Sequence, residues 1–389
     1  MLRPTRKYLK VLTSSRTLVG SDDVMRDGDY GQDDFPHSPL VVFYEVTRAC
    51  DLACRHCRAC AQFHPHPGQL NTEQSRRLID QLTEFPKPPL LVLTGGDPLK
   101  RPDLFELIRW ARSRRLKVAV TPSATPLVTP DALKRMKMTG VHRLAISLDG
   151  ADARTHDGLR GVSGSFVRTL QIMAWTRQIG LAQQVNTTVT RRNANQIDAL
   201  ADLLSRQGIV LWSVFFLVPV GRGRAEQRIS PQEYEEVFER LWHHAQVQPY
   251  AVKTTEAHHY RRFVLQRGGD PQAGFKRGAW RARGPLGVND GKGVMFISHV
   301  GQIFPSGFLP RECGRYPRES VVEVYRHSKM FARLRDPDSF KGKCGVCEYR
   351  HVCGGSRARA WALTGDPYES EPDCTYLPPA WKEEAACSE

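Results

Sequence analysis

No apolar run in this chain approaches the roughly 18 residues that a membrane helix needs. The opening stretch, MLRPTRKYLKVLTSSRTL, is basic but has no continuous apolar core, which argues against a secretory signal. Internal repeats and low-complexity tracts are lacking, which leaves a globular chain. The zinc-protease spacing H-E-x-x-H is absent. The net charge is +15, yet aromatics are not interleaved with the basic residues as in a nucleic-acid-binding module. Basic residues are scattered over helical stretches such as Arg112 to Arg115. The charge therefore reads as a solvated surface, or as a fit to an anionic substrate or an acidic protein partner, with no nucleic acid and no membrane.

What the sequence does have is cysteine in tight groups. Ten cysteines without an export signal read as metal ligands in a reducing cytoplasm rather than as disulfides. Cys50, Cys54, Cys57 and Cys60 fall within eleven residues, and the first three have the spacing C-x3-C-x2-C. Three thiolates this close can hold three irons of a cubane cluster and leave the fourth iron open to a small molecule. A structural site would close all its positions. A second group, Cys344-x2-Cys347-x5-Cys353 with Cys374 further on, supplies four thiolates. Spacing alone leaves that group open between a closed 4Fe-4S cluster and a four-cysteine zinc site.

At 389 residues the chain can hold one large domain and a smaller one. Residues 1–37, rich in Gly, Asp and Ser, read as an irregular leader. Over 38–229 apolar strand candidates alternate with helical patterns. The strands are expected from Leu40 to Val46, Leu90 to Gly95, Leu116 to Pro122, Arg143 to Gly150, Gln183 to Thr190 and Leu211 to Pro219. The helices are expected at Thr72 to Glu84, Asp103 to Ser113, Asp131 to Thr139, Ser165 to Ile179 and Asn195 to Gln207, the first opened by an NTEQ cap. Mostly apolar strands suit a parallel sheet covered on both faces. The pattern predicts an α/β fold, a partial (β/α)6 TIM-like barrel with its site at the C-terminal strand ends. A helical connector, 230–272, and a small Cys-bearing domain, 273–389, with strand signals in GVMFISHVGQIFP, complete the reading.

Polar groups gather at those strand ends. LTGGDP puts Gly95, Gly96 and Asp97 after the second strand, where glycines allow close backbone approach. Ser147 and Asp149 lie on one face after the fourth strand, and Asn186 and Thr188 on one face of the fifth. Arg160 follows in HDGLRG; its planar guanidinium suits a carboxylate. Ser123, after the third strand, is a weaker candidate. In the connector, Glu256, His258, His259 and Tyr260 could line a substrate pocket or simply open a solvated helix.

C-x3-C-x2-C after a strand resembles the radical S-adenosylmethionine (SAM) enzymes. The resemblance implies a SAM-binding 4Fe-4S cluster on Cys50, Cys54 and Cys57, and reductive cleavage of SAM to a 5'-deoxyadenosyl radical. It implies that His56 packs against the adenine, that Gly95, Gly96 and Asp97 meet the methionine amino group, and that Arg160 pairs with the SAM carboxylate. It also implies that Asn186 and Thr188 contact SAM or its ribose, with Ser147 at the barrel mouth. Cys60 departs from the pattern and reads as a free thiol. The tail, with CEYR, CGG, RARA and TGD, is similar to the SPASM/twitch domain of the radical heme-maturation enzymes. That assigns Cys344, Cys347, Cys353 and Cys374 to an auxiliary 4Fe-4S cluster. A full SPASM domain has more cysteines; here Ser306 and Ser356 stand at two of those places. One auxiliary cluster is therefore expected, with a second only if Cys313 recruits unusual ligands, and Cys387 reads as a plain thiol.

The implied function is a cytoplasmic radical SAM oxidoreductase that oxidises or decarboxylates its substrate, with a porphyrin propionate in heme biosynthesis as the leading substrate. Maturation of a ribosomally made peptide is the alternative, and a decarboxylase or epimerase of a sugar or nucleoside antibiotic the third. An electron donor such as ferredoxin or flavodoxin is implied as partner.

Overall fold

The structure is a computed structural model that describes residues 30–272 and 285–386. Most of the leader and Cys387 lie outside the described residues. Ten strands form one sheet: β1 (Val41–Thr47), β2 (Leu90–Gly95), β3 (Val118–Val120), β4 (Arg143–Ser147), β5 (Gln183–Val189), β6 (Leu211–Phe216), β7 (Ala251–Thr255), β8 (Val294–Ile297), β9 (Gln302–Phe304) and β10 (Gly314–Arg315). Their order is β10-β9-β8-β1-β2-β3-β4-β5-β6-β7. From β8 through β1 to β7 every pairing is parallel; β9 and β10 are antiparallel additions.

Eight helices accompany the parallel strands: α1 (Thr72–Gln81), α2 (Leu104–Ser113), α3 (Pro130–Met138), α4 (Ala153–Arg160), α5 (Ser165–Gln178), α6 (Ile197–Ser205), α7 (Pro231–Val247) and α8 (His259–Gln266). Five more lie in the tail: α9 (Val321–His327), α10 (Lys329–Leu334), α11 (Gly342–Gly345), α12 (Arg357–Thr364) and α13 (Pro379–Ala386). The start of α1 follows from its sequence. The Asn71 side chain accepts from the Gln74 amide at 2.9 Å, and Gln74 accepts from the Asn71 amide at 2.9 Å.

Alternate strand residues divide between two environments. Tyr44, Leu93, Ile146, Val185, Trp212 and Val252 pack in the main core under the helices. Glu45, Thr94, Ser147, Asn186, Ser213 and Lys253, one residue along, face the concave side. The result is an open partial barrel with a polar interior.

Three features differ from the reading of the sequence. AVKTT, inside the expected helical connector, is a strand that pairs in parallel with β6, so α7-β7-α8 prolongs the β/α alternation. GVMFI supplies β8, which pairs in parallel with β1, so the sheet runs on into the tail. Helix α4, between the fourth and fifth strands, was also not foreseen.

Candidate active site

The first cysteine group occupies the loop after β1. The loop is drawn closed at its base, where the Cys50 amide donates to the Gln62 carbonyl at 2.7 Å and the Gln62 amide to the Arg48 carbonyl at 3.0 Å. Arg222, after β6, donates from Nε to the Cys54 carbonyl at 2.8 Å and from Nη1 to the Ala61 carbonyl at 3.2 Å. Arg48 donates to the Cys60 carbonyl at 3.0 Å. Two guanidiniums thus satisfy carbonyls that the turning loop cannot pair itself.

Cys50, Cys54 and Cys57 pack together with Leu52, Ala61 and Val162; Cys60 is outside that group and its backbone is left-handed, at φ 46°. Each of the three gathered sulfurs faces a donor. The Leu52 amide lies 3.4 Å from the Cys50 sulfur, with the Ser123 hydroxyl at 3.3 Å. Arg160 Nη1 lies 3.6 Å from the Cys54 sulfur, and the Ala61 amide 3.4 Å from that of Cys57. Burial raises the Cys50 and Cys54 thiols above their ordinary range. Thiols in such a setting ionise readily only against a metal, and the donors around them suit the thiolate form.

Asp149, fully buried beyond β4, ties the neighbouring residues together. Its Oδ2 lies 2.5 Å from Arg160 Nη2 and 3.5 Å from His56 Nε2, while Oδ1 accepts from the Thr188 amide at 2.7 Å. Burial alone would raise this carboxyl, but Arg160 and then His56 outweigh it and hold it below the usual carboxylate range. His56 is lowered to about 4, chiefly by burial, so its imidazole is neutral. Arg160 Nε and His56 Nδ1 are buried without a hydrogen-bond partner. An orphaned Arg160 N–H and an orphaned His56 ring nitrogen beside three gathered thiols are what a polar ligand there would satisfy.

Gly95 and Gly96 are required by the chain itself. Gly95 has φ 143°, and a Cβ there would sit 2.0 Å from the Thr47 carbonyl oxygen; at Gly96 it would sit 2.4 Å from that of Ala49. The close approach brings the end of β2 against the start of the cysteine loop. The Asp97 carboxylate is turned inward, accepting from Thr125 Oγ1 at 2.6 Å and from the Leu99 amide at 3.1 Å. Ser123 donates its hydroxyl proton to the Gly96 carbonyl at 2.8 Å while touching the Cys50 sulfur, which joins the glycine pair to Cys50. Ser147 and Asn186 are register partners on the interior face, and Asn186 accepts from the Gln184 amide nitrogen at 2.7 Å.

In the tail, Cys344, Cys347, Cys353 and Cys374 line one cavity together with His259 and Arg262. The Glu371 amide lies 3.2 Å from the Cys344 sulfur, Arg357 Nη2 3.7 Å from the same sulfur, and the Gly355 amide 3.4 Å from that of Cys353. Burial pushes the Cys347 thiol up to about 12. Four thiols ranged around one cavity are a donor set that either a cubane cluster or a four-cysteine zinc site would use.

The two serines that replace expected cysteines also meet partners. Ser356 donates to Glu256 Oε2 at 2.5 Å, and Ser306 bonds Asp290. Cys313 points elsewhere, donating to the Arg311 carbonyl at 3.3 Å. Glu256, His258, His259 and Tyr260 are all buried, at 9 % exposure or less, in the seam between barrel and tail. They do not form a solvated helix start, and His259 lines the cysteine cavity. Arg222 and Lys253 were missed. The GRGR run after the last expected strand was a usable signal for the former.

Residues 44–204 match the model of the radical SAM superfamily. The chain is 40% identical over 353 residues to the AdoMet-dependent heme synthase of Nitratidesulfovibrio vulgaris, covering 89% of this chain and 95% of that protein. It is 30% identical to the mycofactocin maturase MftC of Mycobacterium tuberculosis, over 87% and 83% of the two chains. Among solved structures, Streptococcus suis SuiB bound to S-adenosylmethionine superposes with a TM-score of 0.67 at 17% identity, over 87% of this chain and 78% of that one.

Proposed function

The chain belongs to the radical SAM superfamily, and on that premise we propose that it oxidatively decarboxylates propionate side chains of a porphyrin to vinyl groups. The observation that carries the choice of substrate is the likeness to a heme synthase, which covers 89% of this chain and 95% of that protein and so extends beyond the barrel alone. When bound, SAM on the open iron of a 4Fe-4S cluster supplies a 5'-deoxyadenosyl radical, a second cluster supplies an electron acceptor, and a propionate that gives up one hydrogen atom, one electron and carbon dioxide is left as a vinyl group.

In this reading Cys50, Cys54 and Cys57 hold the first cluster, and Cys60 remains a thiol. Arg160, already fixed by Asp149, presents its free Nε to the SAM carboxylate. His56, neutral and buried beside it, supports the adenine. Backbone at Gly95, Gly96 and Asp97 meets the amino group, since the Asp97 carboxylate is engaged by Thr125. Ser147, Asn186 and Thr188 line the ribose side. Cys344, Cys347, Cys353 and Cys374 hold the single auxiliary cluster, because Ser306 and Ser356 offer hydroxyls to carboxyl groups where thiols would be needed. A ferredoxin- or flavodoxin-like donor, acidic as such proteins are, suits the basic chain.

A peptide substrate is the second reading, favoured by the 30% identity to a peptide maturase. Anaerobic turnover decides between them. Reconstituted, reduced enzyme given SAM and iron coproporphyrin should yield 5'-deoxyadenosine and porphyrin products lighter by successive losses of formic acid mass, seen by mass spectrometry. Deoxyadenosine formation without any change in the porphyrin would set this reading aside.

A further inference from the structure

Within the barrel Lys253 has a charge and, among the described residues, no carboxylate partner. Ser147, Asn186, Ser213 and Lys253 are successive register partners across β4, β5, β6 and β7. Their neighbours in sequence, Ile146, Val185, Trp212 and Val252, are in the core under the helices, so this row faces the interior. Ser147, Asn186 and Lys253 are half-buried there, next to half-buried Thr188, Phe215 and Thr255. Solvent therefore reaches parts of this layer, while Ser213, between Asn186 and Lys253, is buried.

Lys253 makes no ion pair and no hydrogen bond within the described residues. The charged groups that act on it are both cations, Arg143 from β4 and Arg261 from α8. Arg261 is committed to the carbonyls of Val352, at 3.0 Å, and Val288, at 2.9 Å. The acids beyond the end of β7 are also committed. Glu256 receives Ser356, while Asp290 receives the Ala358 amide, Ser306 and Glu256 itself. A half-buried ammonium among cations is costly unless an anion arrives from outside. Burial, Arg143 and Arg261 together lower Lys253 to about 8, so a bound anion would also restore its full charge.

We propose that Lys253 is the anchor for a substrate carboxylate, received from the barrel interior. The inference rests on the porphyrin reading only for the identity of the acid; any flat polycarboxylate should be held. Lys253 stands two strands from Asn186, about 10 Å at roughly 4.8 Å per strand. A carboxylate fixed there lets another part of the same molecule reach the row formed by Asn186 and Ser147, where SAM is expected. The ammonium supplies a charge-assisted hydrogen bond, which discriminates an acid from its ester.

The test compares the full-length reconstituted protein with Lys253→Met and Lys253→Arg under anaerobic conditions. The probes are coproporphyrin III, its tetramethyl ester, and benzene-1,3,5-tricarboxylate as a small flat acid. SAM affinity in each variant reports that the fold is intact. Lys253→Met should weaken binding of both acids about tenfold and leave the ester unaffected, and Lys253→Arg should restore most of the loss. If the wild type takes the tricarboxylate but not the porphyrin, and Lys253→Met loses the former, the anchor stands and the porphyrin reading falls. Acid binding equal in wild type and Lys253→Met, or an equal loss of acid and ester, would overturn the anchor.

Discussion

Arg160 touches Asp149 and Cys54 at the same time: Nη2 lies 2.5 Å from the buried carboxylate and Nη1 3.6 Å from the sulfur. The carboxylate fixes the guanidinium beside the cysteine loop before any ligand arrives. Removing the fork while keeping the charge should therefore matter. Arg160→Lys is expected to raise the SAM dissociation constant about tenfold, about 1.4 kcal/mol, by isothermal titration of the reconstituted protein. Unchanged affinity in Arg160→Ala would take Arg160 out of the site.

The Asp149 carboxyl is depressed in the folded chain. Its contribution to stability is then present above the unfolded value of about 3.9 and is lost as pH falls through the lower folded one. His156 acts in the same direction but at higher pH. Its Nδ1 accepts from the Asp149 amide at 3.0 Å and its Nε2 faces Ser165 Oγ at 3.2 Å, an arrangement that requires the neutral ring. Burial first, then Arg160, lowers it to about 4. The unfolded chain takes up this proton near pH 6.5 and the folded chain does not, so stability should fall as pH drops from about 6.5 toward 4. Urea unfolding at pH 7.5, 6 and 5 tests this: the midpoint should decline, and His156→Gln should flatten the decline. A midpoint independent of pH across that window would contradict it.

Much of this arrangement could be read from the chain, and the exceptions share a cause. Leu90–Gly95 matches the expected strand residue for residue because both its faces are apolar enough to form a continuous run. The Asn71 cap was visible because its partner, Gln74, is local. The strand β7 was hidden because its inward residues are Lys253 and Thr255: a strand that lines a polar interior loses the run that identifies it. Arg222 was missed because its partners, Cys54 and Ala61, lie far back in the chain and meet it only through the fold. The clustering of Cys50, Cys54 and Cys57 without Cys60 follows the spacing, whereas the inward turn of Asp97 depends on Thr125.

The three gathered thiols should be jointly necessary. Replacing Cys50, Cys54 and Cys57 with Ala is expected to abolish 5'-deoxyadenosine formation and lower the iron content by about four per chain. Cys60→Ala, at a residue outside the packed group, should retain cleavage. Continued SAM cleavage in the triple variant would refute the assignment, and loss of cleavage in Cys60→Ala would give that thiol a role.

The tail cysteines should have a different phenotype. Four thiolates close every iron corner, so a cluster there has no position for SAM and cannot replace the first. Around it stand Arg357, the Glu371 and Gly355 amides, Arg262 and His259. Cationic and N–H groups near the sulfurs favour the reduced state, as an electron acceptor requires. Cys347→Ala, or Cys353→Ala, should uncouple the reaction: deoxyadenosine still forms while oxidised product falls. Because metal binding can be coupled to folding of the tail, circular dichroism must first show a folded variant, and iron content must show loss of about four irons. A folded variant that lacks the tail cluster yet makes product at the wild-type rate would exclude an electron-accepting role. A variant that loses deoxyadenosine and product together would place the tail in SAM cleavage instead.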